Sequence, residues 1–338
     1  MRNIILNNTF KAPDQPGLFF TFMINNRLLI LLLLLTSALA HAQTYKNEFG
    51  FKSDNDSYLG QGSDRYYTNG LFINFRRALD QQNLPAGLEK KTYEITAGQK
   101  MFNPYSGYAP NPATQDRPFA GYLYAEGAMS WFHSNETILK TSIQIGTTGK
   151  NSLAEGGQKL LHRTFGFYDT GGWDYQIKNE LTLNLSAQYT RLLARVADNA
   201  VDFSFEGYAN LGTTFNGAGA GILLRTGSLN QLFNSAYTNS VIGNNARTKS
   251  LVKREFFFYA KPQLNIVAYD ATIQGSIFNN NSPVTYNQRP IVFAQQLGVN
   301  YSSQRFTIDY GVLFKTKEIK SNARAHQWGT ISIYYRFN

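Results

Sequence analysis

Leu181-Thr182-Leu183-Asn184-Leu185-Ser186-Ala187-Gln188-Tyr189 alternates apolar and polar side chains without a break. Successive side chains on a strand point to opposite faces, so this stretch reads as a strand with one face of Leu, Leu, Leu, Ala and Tyr and another of Thr, Asn, Ser and Gln. The same period runs through Phe306, Ile308, Tyr310, Val312 and Phe314 against Thr307, Asp309, Gly311, Leu313 and Lys315. It recurs in Ile331, Ile333, Tyr335 and Phe337 against Thr330, Ser332, Tyr334 and Arg336. Asn184, Gln188, Asp309 and Lys315 suit the polar lumen of a transmembrane barrel whose other face meets lipid. Only a closed barrel pairs every backbone group of such strands within a bilayer. A soluble sandwich with its apolar faces inward is the competing arrangement. Many of the strands exceed the usual length of about 5–6 residues, and the aromatic run Tyr334–Phe337 resembles the assembly signal of outer-membrane barrels.

Alternation predicts strands near 44–53, 67–79, 92–101, 117–132, 136–147, 178–194, 199–214, 217–226, 254–268, 290–302, 305–316 and 328–337. A further run at 271–278 is ambiguous. Single-chain bacterial barrels have even strand numbers, so it is assigned to a loop, giving an all-β, closed antiparallel barrel of about 12 strands. With a periplasmic N-terminus, the long segments 54–66, 102–116, 148–177, 269–289 and 317–327 fall on the outer side. The connection 227–252 reads as irregular and mobile. One short loop helix is predicted from Ser152-Leu153-Ala154-Glu155, which has the form of a capping box, to about Phe165. Glu155, Gln158 and His162 share one side of it, and Leu153, Leu160, Leu161 and Phe165 another.

The N-terminal part has the pattern of an export signal. Leu28–Ala40 reads LLILLLLLTSALA behind Arg27, and Ala40-His41-Ala42 is a small-x-small cleavage site. Residues 1–42 are therefore expected to be a signal peptide, with 1–22 an extension from an upstream start, and 43–338 a single barrel domain. The run is short for a spanning helix, which needs about 20 apolar residues. The net charge is +10, of which Arg2, Lys11 and Arg27 against Asp14 place +2 in the removed segment. A basic exported surface fits anionic lipid head groups better than nucleic acid. The absence of cysteine excludes disulfides and thiolate metal sites.

Polar chemistry gathers at a predicted strand end, in Asp54-Asn55-Asp56 and in Asp64-Arg65-Tyr66-Tyr67-Thr68-Asn69-Gly70. Asp54, Asn55, Asp56 and Asp64 offer hard oxygen ligands of the kind Ca²⁺ prefers, or are a polar loop with Asx-turns. Thr68 and Asn69 are able to donate to an oxyanion or simply continue the strand. His162 is a general-base candidate near neutral pH, and a lone helical histidine is otherwise structural. Arg117 is able to fork onto a phosphate or to pair with a carboxylate. Trp173 is expected to pack the helix on the barrel. No G-x-S-x-G, P-loop or dinucleotide fingerprint is present, so water is the expected nucleophile.

The chain resembles the outer-membrane lipid A 3′-O-deacylases, the LpxR family, over essentially its whole mature length. The resemblance is carried by Asn55-Asp56, Asp64–Gly70, Asp116-Arg117-Pro118-Phe119-Ala120-Gly121, Gln158 to His162-Arg163, and Gly172-Trp173-Asp174-Tyr175-Gln176. It implies a 12-stranded barrel in the outer membrane of a Gram-negative bacterium, acting on lipid A of lipopolysaccharide in the outer leaflet; a monomer is expected. It also implies dependence on Ca²⁺, with His162 as base and Asn55, Asp56 and Thr68 in the site. By their own chemistry, Asp56 and Asp54 are expected to hold the metal and Arg117 to bind the substrate. The family's adjacent Lys and Arg in the second outer loop have no counterpart here, where Asn103–Gln115 reads NPYSGYAPNPATQ. A phospholipase-like esterase and a non-catalytic channel or binding barrel are the alternatives.

Overall fold

Each predicted alternating run forms one strand. The computed structural model describes residues 45–60, 64–81, 84–243 and 248–338, so the expected signal peptide and upstream extension lie outside the described residues. The strands are β1 (Asn47–Asn55), β2 (Tyr66–Ala78), β3 (Leu88–Asn103), β4 (Ala120–His133), β5 (Thr137–Thr148), β6 (Leu181–Val196), β7 (Val201–Gly212), β8 (Phe215–Ser228), β9 (Glu255–Asp270), β10 (Ile291–Ser302), β11 (Phe306–Lys315) and β12 (His326–Phe337). Sequence neighbours pair antiparallel, and β12 closes onto β1 with Asn47 opposite Phe337. Closure leaves no unpaired sheet edge, and one closed sheet replaces the two layers a sandwich would need. No helix among the described residues is long and apolar enough to cross a membrane.

The two faces of the wall follow the sequence period. Phe51, Ile73, Ile95, Leu183, Ile266 and Ile308 are exposed on the exterior, while Glu48, Arg76, Glu94, Asn184, Asn300 and Arg336 are buried. The buried charges are paired, as burial of ions demands. Arg76 bridges Glu48 and Glu94, Arg336 Nε lies 2.8 Å from Glu48, and Lys140 Nζ lies 2.8 Å from Glu94. Asp309 accepts from Tyr259 and Asn300 at 3.1 and 2.9 Å. The interior therefore holds polar and charged groups, many of them paired with one another, and the exterior is apolar.

Short connections join most strands at the end that holds the start of β1 and the end of β12, the long β8–β9 segment being the exception. Most connections at the other end are long. The ambiguous run lies in one of these, where Ala271–Gln274 forms a single helical turn capped by Asp270. The loop helix α1 (Ala154–Phe165) starts where expected, but without the capping box. Leu153, at φ 59°, is its N-cap and makes no side-chain cap bond. Ser152 is turned inward, its hydroxyl donating to the Gly149 carbonyl at 2.5 Å, and Glu155 pairs with Lys159 at 2.6 Å.

Helix α1 lies on the outside of the wall. Thr96, Lys100 and Phe102 of β3 point into the lumen, so Gln99 and Met101 point out. Met101 is nevertheless only 1 % exposed, because α1 covers it. A Cβ on Gly157 would sit 2.7 Å from Met101 Cε, and Ser152 and Ala154 fill the space a Cβ on Gly121 of β4 would need. Trp173 packs with Met101, Ala109, Phe119 and Ala154 and fixes the helix there.

The connection between β8 and β9 departs from the expectation of a mobile segment. Its described part folds back into the barrel, with Leu229, Leu232, Phe233 and Ile242 buried. Glu255 accepts from Asn230 N and Ala236 N at 2.9 and 2.6 Å, and Glu136 accepts from Leu232 N at 2.7 Å. Lys90 Nζ donates to the Phe233 carbonyl at 2.9 Å. Tyr237 reaches Tyr259 and Glu206 on the lumen face. Inward-facing charges thus bind the irregular backbone that alternation could not account for.

Candidate active site

The strand end that concentrates polar residues is rebuilt by two local irregularities. At the end of β1, Asn55 caps a 3-10 turn over Asp56–Leu59, its Oδ1 accepting from Ser57 N at 2.7 Å. At the start of β2 a bulge between Tyr67 and Asn69 leaves Thr68 out of the ladder. Such bulges re-aim a side chain. Here Tyr67 turns into the lumen, where it packs on Phe102 and Trp328, and Thr68 turns to Asp64 and Asp56. Asp64 and Tyr66 precede the bulge at φ 45° and 61°, left-handed conformations that persist only when the surroundings fix them. The Tyr66 hydroxyl does so by donating to Asp116 at 2.9 Å and accepting from Arg324 N at 2.8 Å.

Asp64 is the centre of the cluster. Its Oδ1 accepts from Thr68 Oγ1 at 2.7 Å. Its Oδ2 accepts from the Tyr168 hydroxyl at 2.6 Å and Gln158 Nε2 at 3.4 Å, and meets His162 Nε2 at 2.8 Å. Gln158 is held in turn by Trp173 Nε1 at 2.8 Å. His162 Nδ1 faces the Tyr168 carbonyl at 2.6 Å. A carbonyl only accepts, so Nδ1 carries a proton and Nε2 is the nitrogen aimed at the carboxylate. Burial and the bond to Asp64 raise the Tyr168 phenol above its ordinary value, so it stays a donor. A Cβ on Gly107 would fall 2.7 Å from the Tyr168 hydroxyl and 2.9 Å from Asp64 Oδ2, so only glycine fits against this group.

The structure brings His162, Thr68 and Asp56 together, but through Asp64. Asp56 accepts from Arg65 N at 3.1 Å and lies 3.5 Å from Thr68 Oγ1. The carboxylate in contact with His162 is Asp64, not Asp56. Asn55 stands at the edge of the cluster, opposite Asn69 in register. Asp54 lies apart. It faces the lumen, where Tyr67 and Thr330 donate to its two oxygens at 2.7 and 2.8 Å and Lys52 stands at 3.5 Å. Asp54 therefore stands apart from Asp56 and Asp64, bonded within the lumen.

Arg117 also stands apart from the cluster. It is 1 % exposed, stacks on Phe102 with its guanidinium carbon 4.5 Å from the ring centre, donates to Thr272 at 2.8 Å and faces Glu318 at 3.8 Å. This guanidinium ties three loops together through buried contacts.

The donor set that remains, Asp56, Asp64, Thr68 and the partnerless buried Asn69 Oδ1, is oxygen throughout and suits a hard cation. Among the described residues no three His, Asp or Glu side chains form a metal-holding group, so carbonyls, hydroxyls or water would have to complete a shell. Tyr168 and Asp64 are the members that sequence reasoning missed as partners of His162. Asp64 stood within the polar cluster, but nothing in the sequence paired it with a helix in another loop.

Fold and site together define a transmembrane β-barrel whose polar cluster sits on the exterior wall at the loop end, beneath a surface helix. A family model described as outer membrane protein LpxR matches residues 28–337, and the chain belongs to this family. The solved LpxR from Salmonella typhimurium is similar in fold, with a TM-score of 0.67 at 17% identity, covering 86% of this chain and 100% of that one. The β-domain of the Bordetella autotransporter BrkA, at TM-score 0.42 and 10% identity over 87% of this chain and 100% of that one, and the KdgM porin with oligogalacturonate, at 0.37 and 4% over 86% and 99%, are far more distant barrels. No curated protein sequence matches the chain.

Proposed function

We propose that the protein is an outer-membrane ester hydrolase that removes the 3′-linked acyloxyacyl chain of lipid A. The observation that carries this reading is the His162–Asp64–Thr68 cluster, set on the lipid-facing side of the barrel in a member of the LpxR family. A buried imidazole with one nitrogen locked on a carbonyl and the other aimed at a carboxylate is equipped for proton transfer.

With Nδ1–H held by the Tyr168 carbonyl, Nε2 of neutral His162 is the acceptor for a proton. The 2.8 Å contact of Nε2 with Asp64 has to open to admit a water. That water gives a proton to Nε2 as its oxygen attacks the acyl carbonyl, and Asp64 stabilises the imidazolium that forms. The imidazolium passes the proton to the departing sugar oxygen as the ester C–O bond breaks. Thr68, Tyr168 and Gln158 hold Asp64 in place. The Asn55 amide oxygen is committed to Ser57 N, which leaves its NH₂ to donate to the developing oxyanion. The Thr68 proton is on Asp64, so Thr68 serves this site by positioning. A Ca²⁺ ion would be held by Asp56 with neighbouring oxygens and would polarise the ester carbonyl.

The test is lipid mass spectrometry of cells with and without the protein, repeated with a calcium chelator. Loss of the 3′ acyloxyacyl group from lipid A is expected, and His162→Ala abolishes it while the barrel still folds. Release of glycerophospholipid acyl chains in its place points to a phospholipase-like enzyme. Full activity of His162→Ala overturns the assignment of the base.

A further inference from the structure

Helix α1 carries three different flanks. The stripe laid on the barrel, Ala154, Gln158 and His162, is mostly polar. A second flank holds Glu155, Lys159 and Arg163 at four-residue spacing. The third holds Leu153, Leu160 and Leu161, with Phe165 at the end of the helix. Leu153 is 65% exposed, and Leu160 and Phe165 are 66% exposed. A helix on a water-covered surface turns its apolar side to the protein. This one turns its catalytic-type polar side inward and leaves its largest apolar side chains outside.

The wall sets the direction in which these side chains point. β3 climbs from the turn end at Leu88 to the loop end at Asn103, so Gln99 lies deeper along the exterior than Met101. A Cβ on Gly157 would point at Met101 Cε and Gln99 Oε1. Its neighbour Gln158 is turned to Asp64 and Trp173 in the loops. The flank shared by Gly157, Leu160 and Leu161 is therefore the one turned down the wall, and the charged flank is turned away from it. Below lie Ile95 and Ala97 of β3 and Leu123 and Ala125 of β4, part of the apolar exterior.

We propose that α1 is an interfacial helix whose Leu153–Leu160–Leu161 flank, together with Phe165, is seated among the acyl chains of the outer-leaflet lipids. Its charged flank then lies in the head-group layer, the arrangement that holds amphipathic helices in a membrane surface. The occupant is bilayer lipid because the apolar flank is continuous with the lipid-facing wall. His162 rides on the same helix, so the seat fixes the height of the imidazole against the lipids. The inference rests on the fold and the helix faces, and stands whether or not the acyl-ester reaction is the right one.

The chain has no cysteine, so single spin labels report one position each. Full-length protein with Leu160→Cys, Arg163→Cys, Leu183→Cys on the lipid-facing wall, or Asn111→Cys in an exposed loop is placed in vesicles of phosphatidylethanolamine and phosphatidylglycerol. Collisional relaxation by oxygen and by a water-soluble nickel chelate is then measured. The label at 160 should match Leu183→Cys, with an oxygen-to-nickel ratio several-fold above those at 163 and 111. A label at 160 as open to nickel as that at 111 overturns the proposal, as does dipolar broadening that shows a second copy on this face. Leu153→Cys repeats the measurement should Leu160→Cys fail to fold as judged by its heat-modifiable mobility.

Discussion

Asp64 is the side chain on which the cluster converges. It takes bonds from a threonine, a tyrosine and a glutamine and faces His162; Thr68 reaches it through a bulge, and Gln158, His162 and Tyr168 come from the distant loop between β5 and β6. A carboxylate so placed orients a base and stabilises its charged form. Asp64→Asn should therefore lower acyl release by about 10²- to 10⁴-fold, the range of a general acid–base group, while the barrel keeps its fold. Acyl release close to that of the unchanged protein would remove Asp64 from the mechanism. His162, Thr68 and Asn55 were legible as candidates because their residue types suit the chemistry. The Tyr168 carbonyl that fixes the imidazole was not, since every residue has a carbonyl and only the fold selects one.

At the scale of elements, strands were legible because a two-residue period has a direct physical meaning on a wall with two different solvents. The helix was legible in extent but not in attitude. Ser152 and Glu155 had the spacing of a capping box, yet Ser152 is spent on Gly149 and Glu155 on Lys159. The loop β11–β12 shows how charge holds such elements down. Burial opposes ionisation of Glu318, but Lys315, His326 and Arg117 outweigh it and hold its carboxyl down at about 2, below its ordinary 4.5. A depressed carboxyl stabilises the fold above its unfolded value, and that contribution is lost as pH falls through the folded one. The thermal unfolding temperature should therefore drop between about pH 4.5 and pH 2. Glu318→Gln should flatten this drop and lower the temperature at neutral pH, and an unchanged profile would mean that the cluster does not stabilise the loop.

The whole molecule is a barrel with an occupied interior. Residues from the β8–β9 connection fill the turn end around Tyr237, and Tyr67, Phe102, Ala120, Ile177 and Trp328 pack together at the loop end. Between them lies a polar cavity of about 660 Å³, lined in part by Lys52, Glu94, Lys100, Glu126 and Lys140. The purified protein in a planar bilayer is therefore expected to give no steady ion conductance. Porin-like steps would show that the interior packing opens, and would favour a channel. Alternation along the chain by itself determined where the strands lie and which side chains share a face, because each strand reports its own two environments locally; the count of about twelve also needed the even strand number of single-chain barrels. The bulge at Thr68, the link of Asp64 to His162, the reversed faces of the helix and the filling of the lumen were decided only by tertiary structure. Each depends on groups from distant segments meeting across the wall, where a buried charge or an unpaired carbonyl selects its partner by geometry rather than by position in the chain.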